Sequence, residues 1–403
     1  MRLFSLLSFF CLCFVLSNEL LAQLDGRWHA GLKCPGGQIQ FGLVIEKSDS
    51  GWDAWLTNGE EKIAVPNVTV DAGVLNLEID HYDSKIVAKL NDGRLAGSWK
   101  KRRGPQEWVE LEFLASKTPV SEWDSKQDAA RFKGRWSVDF EKSEDIAVGI
   151  FDTRKDGSAS GTFLTTTGDY RFLSGGVQNG QLELSCFDGA HAFLFKVKNV
   201  DGELRGRFWS ANTWYETWTA KKDNEARLPD AFQQTKLVNQ DSLGGLSFPN
   251  LKGEQIRLDA PEFQARARLL YVFGSWCPNC HDAASYFSQL LEKYGNKGLK
   301  IQGLAFELTG EFERDSRQVR KYLKRHGVKY PVLVAGLSDK KLAAQKLPFL
   351  DKVKSYPTTI FLDQNNQVQA IHTGFTGPAT GESYTQMTQK FEALIEKLLI
   401  EDG

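Results

Sequence analysis

Beyond its first 22 residues this sequence has no apolar run long enough to cross a membrane, and its longest run of lysine and arginine is the four residues Lys100-Lys101-Arg102-Arg103. Acids and bases nearly cancel, leaving a formal net charge of -1 over 403 residues. A nucleic-acid partner needs a basic face, so none is expected. Cysteine is scarce, with six in all. Only Cys277 and Cys280 form a CxxC, and no second pair or close Cys/His cluster could complete a zinc site. No metal is therefore expected. Residues 25 to about 225 also lack long helical periodicity.

The lone CxxC lies in Ser275-Trp276-Cys277-Pro278-Asn279-Cys280. Before it, Leu269-Leu270-Tyr271-Val272-Phe273 is a short apolar run rich in strand formers, which predicts a buried strand. After it, Ala283, Phe287, Leu290, Leu291 and Tyr294 recur at helical spacing, and Gly295 supplies a stop. The pair thus falls at a strand-to-helix junction, with Pro278 near the first helical position, where a missing N–H costs nothing. Free N–H groups and a partial positive charge at a helix N-terminus favour a thiolate. Cys277 is expected to be the exposed nucleophile. Cys280, one turn in, is expected to be the less exposed thiol that resolves a mixed disulfide. The bland alternative is a structural disulfide.

A second landmark is Ser355-Tyr356-Pro357-Thr358-Thr359-Ile360-Phe361-Leu362-Asp363, a proline directly before a strand, followed by an Asn365-Asn366 turn. With the WCPNC segment, this resembles the thioredoxin superfamily, most closely its extracytoplasmic TlpA/ResA-like branch. The resemblance covers about Leu243 to the C-terminus, and Leu246–Gly253 matches the branch's entry hairpin. Leu299–Phe306 reads as a strand, and Arg314–His326 as a helix stopped by Gly327; the branch carries an inserted unit of this kind. Met387, Phe391, Leu394, Ile395 and Leu398 mark a last amphipathic helix. The resemblance implies a cis Tyr356–Pro357 peptide against the dithiol, with Pro357 keeping metal off the thiols. It also implies that the Tyr356 backbone pairs with a client peptide, so Trp276, Tyr356 and Pro357 are the expected client-binding residues. No cofactor is implied, since the dithiol carries the two electrons.

There are departures. Many members of the branch have a Glu followed closely by Pro after the second cysteine, where this chain has His281-Asp282-Ala283-Ala284-Ser285. The buried acid of thioredoxins proper falls at Tyr271. Asp282 and Glu307 are the candidates for a proton acceptor to Cys280, and the plainer reading of each is an ordinary surface or strand-end acid. His281 would either lower a thiol pKa, if charged, or be solvated.

The first 22 residues read as an export leader: Arg2 as charged start, Leu3–Leu16 as apolar core, Leu20-Leu21-Ala22 before a cleavage site. An uncleaved signal anchor is the alternative. Export would leave Cys34 and Cys186 free to bridge or to stand as two inert thiols. Strand-like alternation fills the next two hundred residues, as in Ile39/Phe41/Leu43/Ile45 and Phe193/Phe195/Val197. Gly26-Arg27-Trp28 recurs 108 residues later as Gly134-Arg135-Trp136, and Leu95-Ala96-Gly97-Ser98-Trp99 matches Leu204-Arg205-Gly206-Arg207-Phe208 at 109. The expectation is two tandem antiparallel β repeats, barrel- or sandwich-like, followed by an α/β thioredoxin-like domain. Its divisions are 1–22 leader, 23–118 and 119–225 β repeats, 226–243 linker and 244–403 redox domain. The stretch is polar and reads as a linker or a short connecting helix, which would let the redox domain reorient. Ten of the eleven tryptophans fall in the β region, read as core packing over an aromatic ligand groove.

The function these features imply is an exported, periplasmic or cell-envelope thiol–disulfide oxidoreductase. Its partners would be client proteins bearing disulfides or thiols and a separate redox partner, with no stable membrane span. One alternative is a non-enzymatic envelope scaffold acting through the β repeats. Another is a peroxiredoxin-like peroxidase, which would want a Thr three residues before Cys277, where Gly274 stands.

Overall fold

The computed structural model describes residues 23–119, 123 and 129–400; the leader read at 1–22 lies outside them. Nine strands form the first sheet: β1 (Gly26–Cys34), β2 (Gly37–Ser48), β3 (Gly51–Asn58), β4 (Glu61–Ala64), β5 (Asn67–Asp71), β6 (Val74–Ile79), β7 (Ser84–Asn91), β8 (Arg94–Arg102) and β9 (Trp108–Ser116). Nine more form the second: β10 (Gly134–Phe140), β11 (Ala147–Thr153), β12 (Ser158–Thr165), β13 (Gly168–Asp169), β14 (Leu173–Gln178), β15 (Gln181–Phe187), β16 (Ala192–Val200), β17 (Glu203–Ser210) and β18 (Trp214–Lys222). Each is an antiparallel meander whose first and last strands pair, β1 with β9 and β10 with β18.

Local chemistry accounts for the hairpins. Ala72-Gly73 and Asp92-Gly93 in the first sheet, and Asn179-Gly180 and Asp201-Gly202 in the second, have positive φ at both turn residues. Such two-residue turns match the twist of the flanking strands and favour Gly at the second position. Period-two alternation then sends Ile39, Phe41, Leu43 and Ile45 inward. The indole N–H groups of Trp28 and Trp136 are bonded alike, to the carbonyls of Leu24 (2.8 Å) and Phe132 (2.9 Å). Trp28, Trp99, Trp136, Trp209 and Trp218 are buried, in line with core packing.

In the second sheet β11 also pairs with β12, closing a ring that leaves only the two-residue β13 outside. The first sheet ends on β4 and β5, and Pro66 between them has no N–H to continue the ladder. The second sheet packs on it at β2 and β3: Phe187, Leu194 and Trp209 belong to the first core, while their neighbours Cys186, Phe193, Phe195 and Phe208 belong to the second. Cys34 and Cys186 therefore sit in different cores, both as free thiols.

The C-terminal part opens with a short hairpin, β19 (Ser247–Pro249) with β20 (Gln255–Arg257). A five-stranded sheet follows, ordered β23 (Val332–Leu337), β22 (Leu299–Glu307), β21 (Ala267–Phe273), β24 (Thr358–Asp363), β25 (Val368–Thr373). β21 to β23 run parallel and β24 antiparallel to β21. Its helices are α1 (Pro278–Tyr294), α2 (Phe312–His326), α3 (Lys340–Lys346) and α4 (Glu382–Ile400). Every residue of β21 is buried, as befits the middle of a covered sheet. α2 stops at Gly327 in the left-handed region, whereas Gly295 after α1 stays right-handed and the left-handed turn comes at Gly298. Among the described residues no helix is long and apolar enough to cross a membrane.

The segment read as a reorienting linker is tied down. Thr235 accepts a bond from Thr373 (2.8 Å), the Val238 N–H bonds the Phe349 carbonyl (2.9 Å), and the Lys236 N–H bonds Asp351 (2.8 Å). Polar composition had suggested a loose tether; hydrogen bonds to the redox domain make it part of that domain's surface.

Candidate functional site

Buried β21 delivers the chain to Gly274, and α1 starts four residues later. Cys277 is the N-cap: its sulfur accepts the Cys280 N–H at 3.3 Å, in the place an N-cap oxygen would take. Its thiol also lies 3.4 Å from the Tyr356 carbonyl. Tyr356–Pro357 is cis, as the resemblance implied. Trp276 packs edge-on against Tyr356 (centroids 5.5 Å) and donates its indole N–H to the Phe306 carbonyl (2.9 Å). All five expected site residues, Trp276, Cys277, Cys280, Tyr356 and Pro357, converge at the C-terminal end of β21.

Cys280 is wholly buried, and its thiol is pushed well above the usual range by that burial and by Cys277 beside it. The Tyr271 and Tyr322 hydroxyls both donate to the Cys280 carbonyl at 2.8 Å, which pins the first turn of α1. Tyr271 thus stands in place of the missing acid as a positioning group for the backbone.

Expectations for four residues, Cys277, Glu307, His281 and Asp282, need correction. Cys277 is only 6% exposed, so it is not the open nucleophile that a bare helix N-terminus suggested. Glu307 does end β22, as expected of a strand-end acid, but it is no surface acid: it is fully buried, accepts the Ser275 N–H (2.8 Å) and hydroxyl (2.7 Å), and burial raises its carboxyl to about 8. His281 is neither charged nor solvated. Its ring bonds His326 (2.6 Å) and the Ser275 carbonyl (2.7 Å), packs on His81, and burial holds it well below the usual imidazole range.

What covers Cys277 is the second sheet. The turn from Thr165 to Arg171 lies across the dithiol. Asp169 accepts from Asn279 (3.3 Å) and from the Gly377 N–H (2.6 Å), and the Ser355 hydroxyl donates to the Thr167 carbonyl (2.6 Å). The approach is close enough that a Cβ at Gly168 would collide with the Asn279 amide. Buried Arg171 then joins three parts of the molecule: Glu61 of the first sheet (2.7 Å), Asp188 of the second (3.4 Å) and Asp282 of α1. Three carboxylates share one guanidinium. Burial raises Asp282 to about 7 against the pull of Arg171, so it too is no plain surface acid. Beside α1 and the middle of α2, the Asp80–Tyr82 turn of the first sheet sets His81 and Tyr82 against His281, and Gln318 donates to the Asp80 carbonyl (2.8 Å). Asp169, Arg171 and His81 carried no sequence signal, since nothing local marks a strand-end residue as the neighbour of a helix a hundred residues on.

Residues 240–371 match the AhpC/TSA family model. The C-terminal domain is thioredoxin-like. The Bacillus subtilis thioredoxin-like protein YneN is 28% identical to the chain over 128 residues, which is 32% of this chain and 67% of that protein. Thiol-disulfide oxidoreductase ResA of Bacillus anthracis is 27% identical over 119 residues, 30% of this chain and 60% of that protein. A solved thiol-disulfide oxidoreductase from Bacteroides fragilis matches at 23% identity and a TM-score of 0.27, over 35% of this chain and 95% of that one. The family match stops short of both β sheets. The thioredoxin-like domain is of the oxidoreductase kind, and among the described residues no cluster of histidine, cysteine and acid could hold a metal ion.

Proposed function

We propose that the protein is an exported thiol–disulfide oxidoreductase of the cell envelope, with Cys277 as nucleophile and Cys280 as resolving thiol. The observation that carries this is the seat of Cys277 at the N-cap of α1, bonded by the Cys280 N–H and facing the carbonyl before cis Pro357. Burial holds Cys280 as a thiol, which leaves Cys277, at the head of the helix, as the sulfur placed to attack.

In the reducing direction the Cys277 thiolate attacks one sulfur of a client disulfide, and the other sulfur leaves as thiolate. With Cys277 uncharged in the mixed disulfide, one cause of the raised Cys280 pKa is gone. Cys280 gives up its proton, attacks Cys277, and frees the second client thiol; two electrons have passed to the client. A separate dithiol partner restores Cys277 and Cys280, and with the opposite poise the same steps oxidise clients. Trp276, Tyr356 and Pro357 form the client-binding wall. The two β sheets, with matching connectivity and matching hairpin turns, are tandem units that cover the dithiol. A protein client gains the groove beside Ser355 and Tyr356 only by displacing Thr165–Asp169.

The test is a trap. Cys280→Ser should accumulate a mixed disulfide through Cys277 when offered a disulfide, seen by mass as an adduct that dithiothreitol removes. If the adduct forms equally in Cys277→Ser, or in neither variant, the reading fails.

A further inference from the structure

Between the two β sheets and the thioredoxin-like domain there remains a cavity of about 290 Å³ that opens onto the Cys277 sulfur, at the small end of ligand clefts. Its walls include Tyr170, Phe193, Trp276 and Tyr356, and its cations are Lys101 and Lys340. Lys101 comes from β8 of the first sheet. Its ammonium makes one bond, to the Ala190 carbonyl (2.9 Å), and lies within electrostatic reach of Cys277. Lys340 heads α3 at the exposed rim of the same cavity.

The other charged groups here are occupied. Asp169 accepts from Asn279, the Gly377 N–H and the Arg171 N–H (2.8 Å), and His191 is paired with Asp188 (3.1 Å). The two lysines are thus the groups left to meet a ligand. Burial lowers Lys101 only to about 8, so it stays largely charged near neutral pH while poorly hydrated.

Building on the exchange reading above, we propose that this covered site takes a low-molecular-weight disulfide bearing carboxylates, with Lys101 and Lys340 as its recognition cations. The disulfide enters between the aromatic walls, its carboxylates reach the two ammonium groups, and one sulfur is presented to Cys277. Attack forms the Cys277 mixed disulfide and releases one small thiolate; Cys280 then closes on Cys277 and releases the second. The dithiol is oxidised and the small disulfide becomes two thiols. Positive charge at this point also favours a carboxylate-bearing disulfide over a cationic one of equal length.

The experiment uses the full reduced chain and three small disulfides that differ mainly in charge: dithiodipropionate (anionic), bis(hydroxyethyl) disulfide (neutral) and cystamine (cationic). Rates of Cys277–Cys280 oxidation are divided by those of dithiothreitol with the same probe, which removes intrinsic reactivity. The normalised rate should be about tenfold or more higher for the anion than for the cation, and the gap should shrink as salt is raised. Lys101→Gln should shrink it too. So should Lys340→Gln, which sits at the exposed rim and carries little folding risk. Equal normalised rates, or a preference untouched by both substitutions, overturn the proposal while leaving thiol–disulfide exchange standing. Failure of all three probes to oxidise the pair would bring down the exchange reading and this inference together.

Discussion

The two β sheets share one connectivity and the same hairpin turns, yet only the second closes on itself. Its ring is filled with rings: Phe140, Phe163, Phe195, Phe208 and Trp218 pack at centroid distances of 4.4 to 6.2 Å. The first sheet holds mainly aliphatic residues and borrows Phe187, Leu194 and Trp209 from its neighbour to finish its core. A closed sheet has no edge to satisfy, so its rim is free to carry Asp169 and Arg171 to the dithiol. The open one is completed by contact, and it touches the redox domain with a buried histidine. Closure, then, separates a self-sufficient cover from a dependent one.

That comparison can be broken most sharply at the shared strand. Phe187→Ala should cost about 3–5 kcal/mol and loosen the first sheet with the second, whereas Phe163→Ala should cost as much but spare the first core. Hydrogen exchange resolved by segment distinguishes them; equal loss of protection in both sheets from either change would refute the dependence. Next, Arg171→Met strands three carboxylates and should cost about 3 kcal/mol, because removing one partner of a buried ion cluster leaves charge uncompensated. It should also speed alkylation of Cys277, which is otherwise covered.

Acid tests the first sheet's contact. His81, His281 and His326 are all held below 6.5 by burial, His326 at about 3. The unfolded imidazoles take up protons near 6.5 while the folded ones resist, so their stability share is full above pH 6.5 and lost as pH falls. Asp282, raised to about 7, acts oppositely, its share being lost as pH climbs from 3.8. Glu307, raised to about 8, acts as Asp282 does, so the histidine share is read by difference: between about pH 7.5 and about pH 5 the thermal midpoint should fall more, or rise less, in the native chain than in His326→Phe. Equal shifts in the two chains would contradict this. Smallest are Trp28→Phe and Trp136→Phe, each losing one indole bond to a carbonyl four residues back, for about 1 kcal/mol. Similar losses support equivalent roles in two unlike sheets, and calorimetric midpoints would show them.

Much of this was legible in the chain. The strand before Cys277, the helix after it and the cis bond at Pro357 were read from short windows and a family likeness, and they stand in the structure. Gly26-Arg27-Trp28 and Gly134-Arg135-Trp136 both open first strands. Glu307 and His281 were misjudged because burial depends on what lies above a residue, and neighbours in sequence do not report it. The tether at 226–243 was misjudged for the same reason: its polar groups look solvated until the redox domain supplies their partners.

Turn chemistry, period-two alternation and a CxxC at a helix head act over a few residues, so reading along the chain was enough to find strands such as those holding Ile39–Ile45 and Phe193–Val197 and the strand-to-helix junction of the dithiol. Whether β10 would find β18, whether Phe187 would face a foreign core, and whether Arg171 would reach Asp282 were settled only when distant segments packed. Those outcomes depend on pairings across about a hundred residues, and a contact at that separation leaves no local mark. The cover over Cys277 is of that kind.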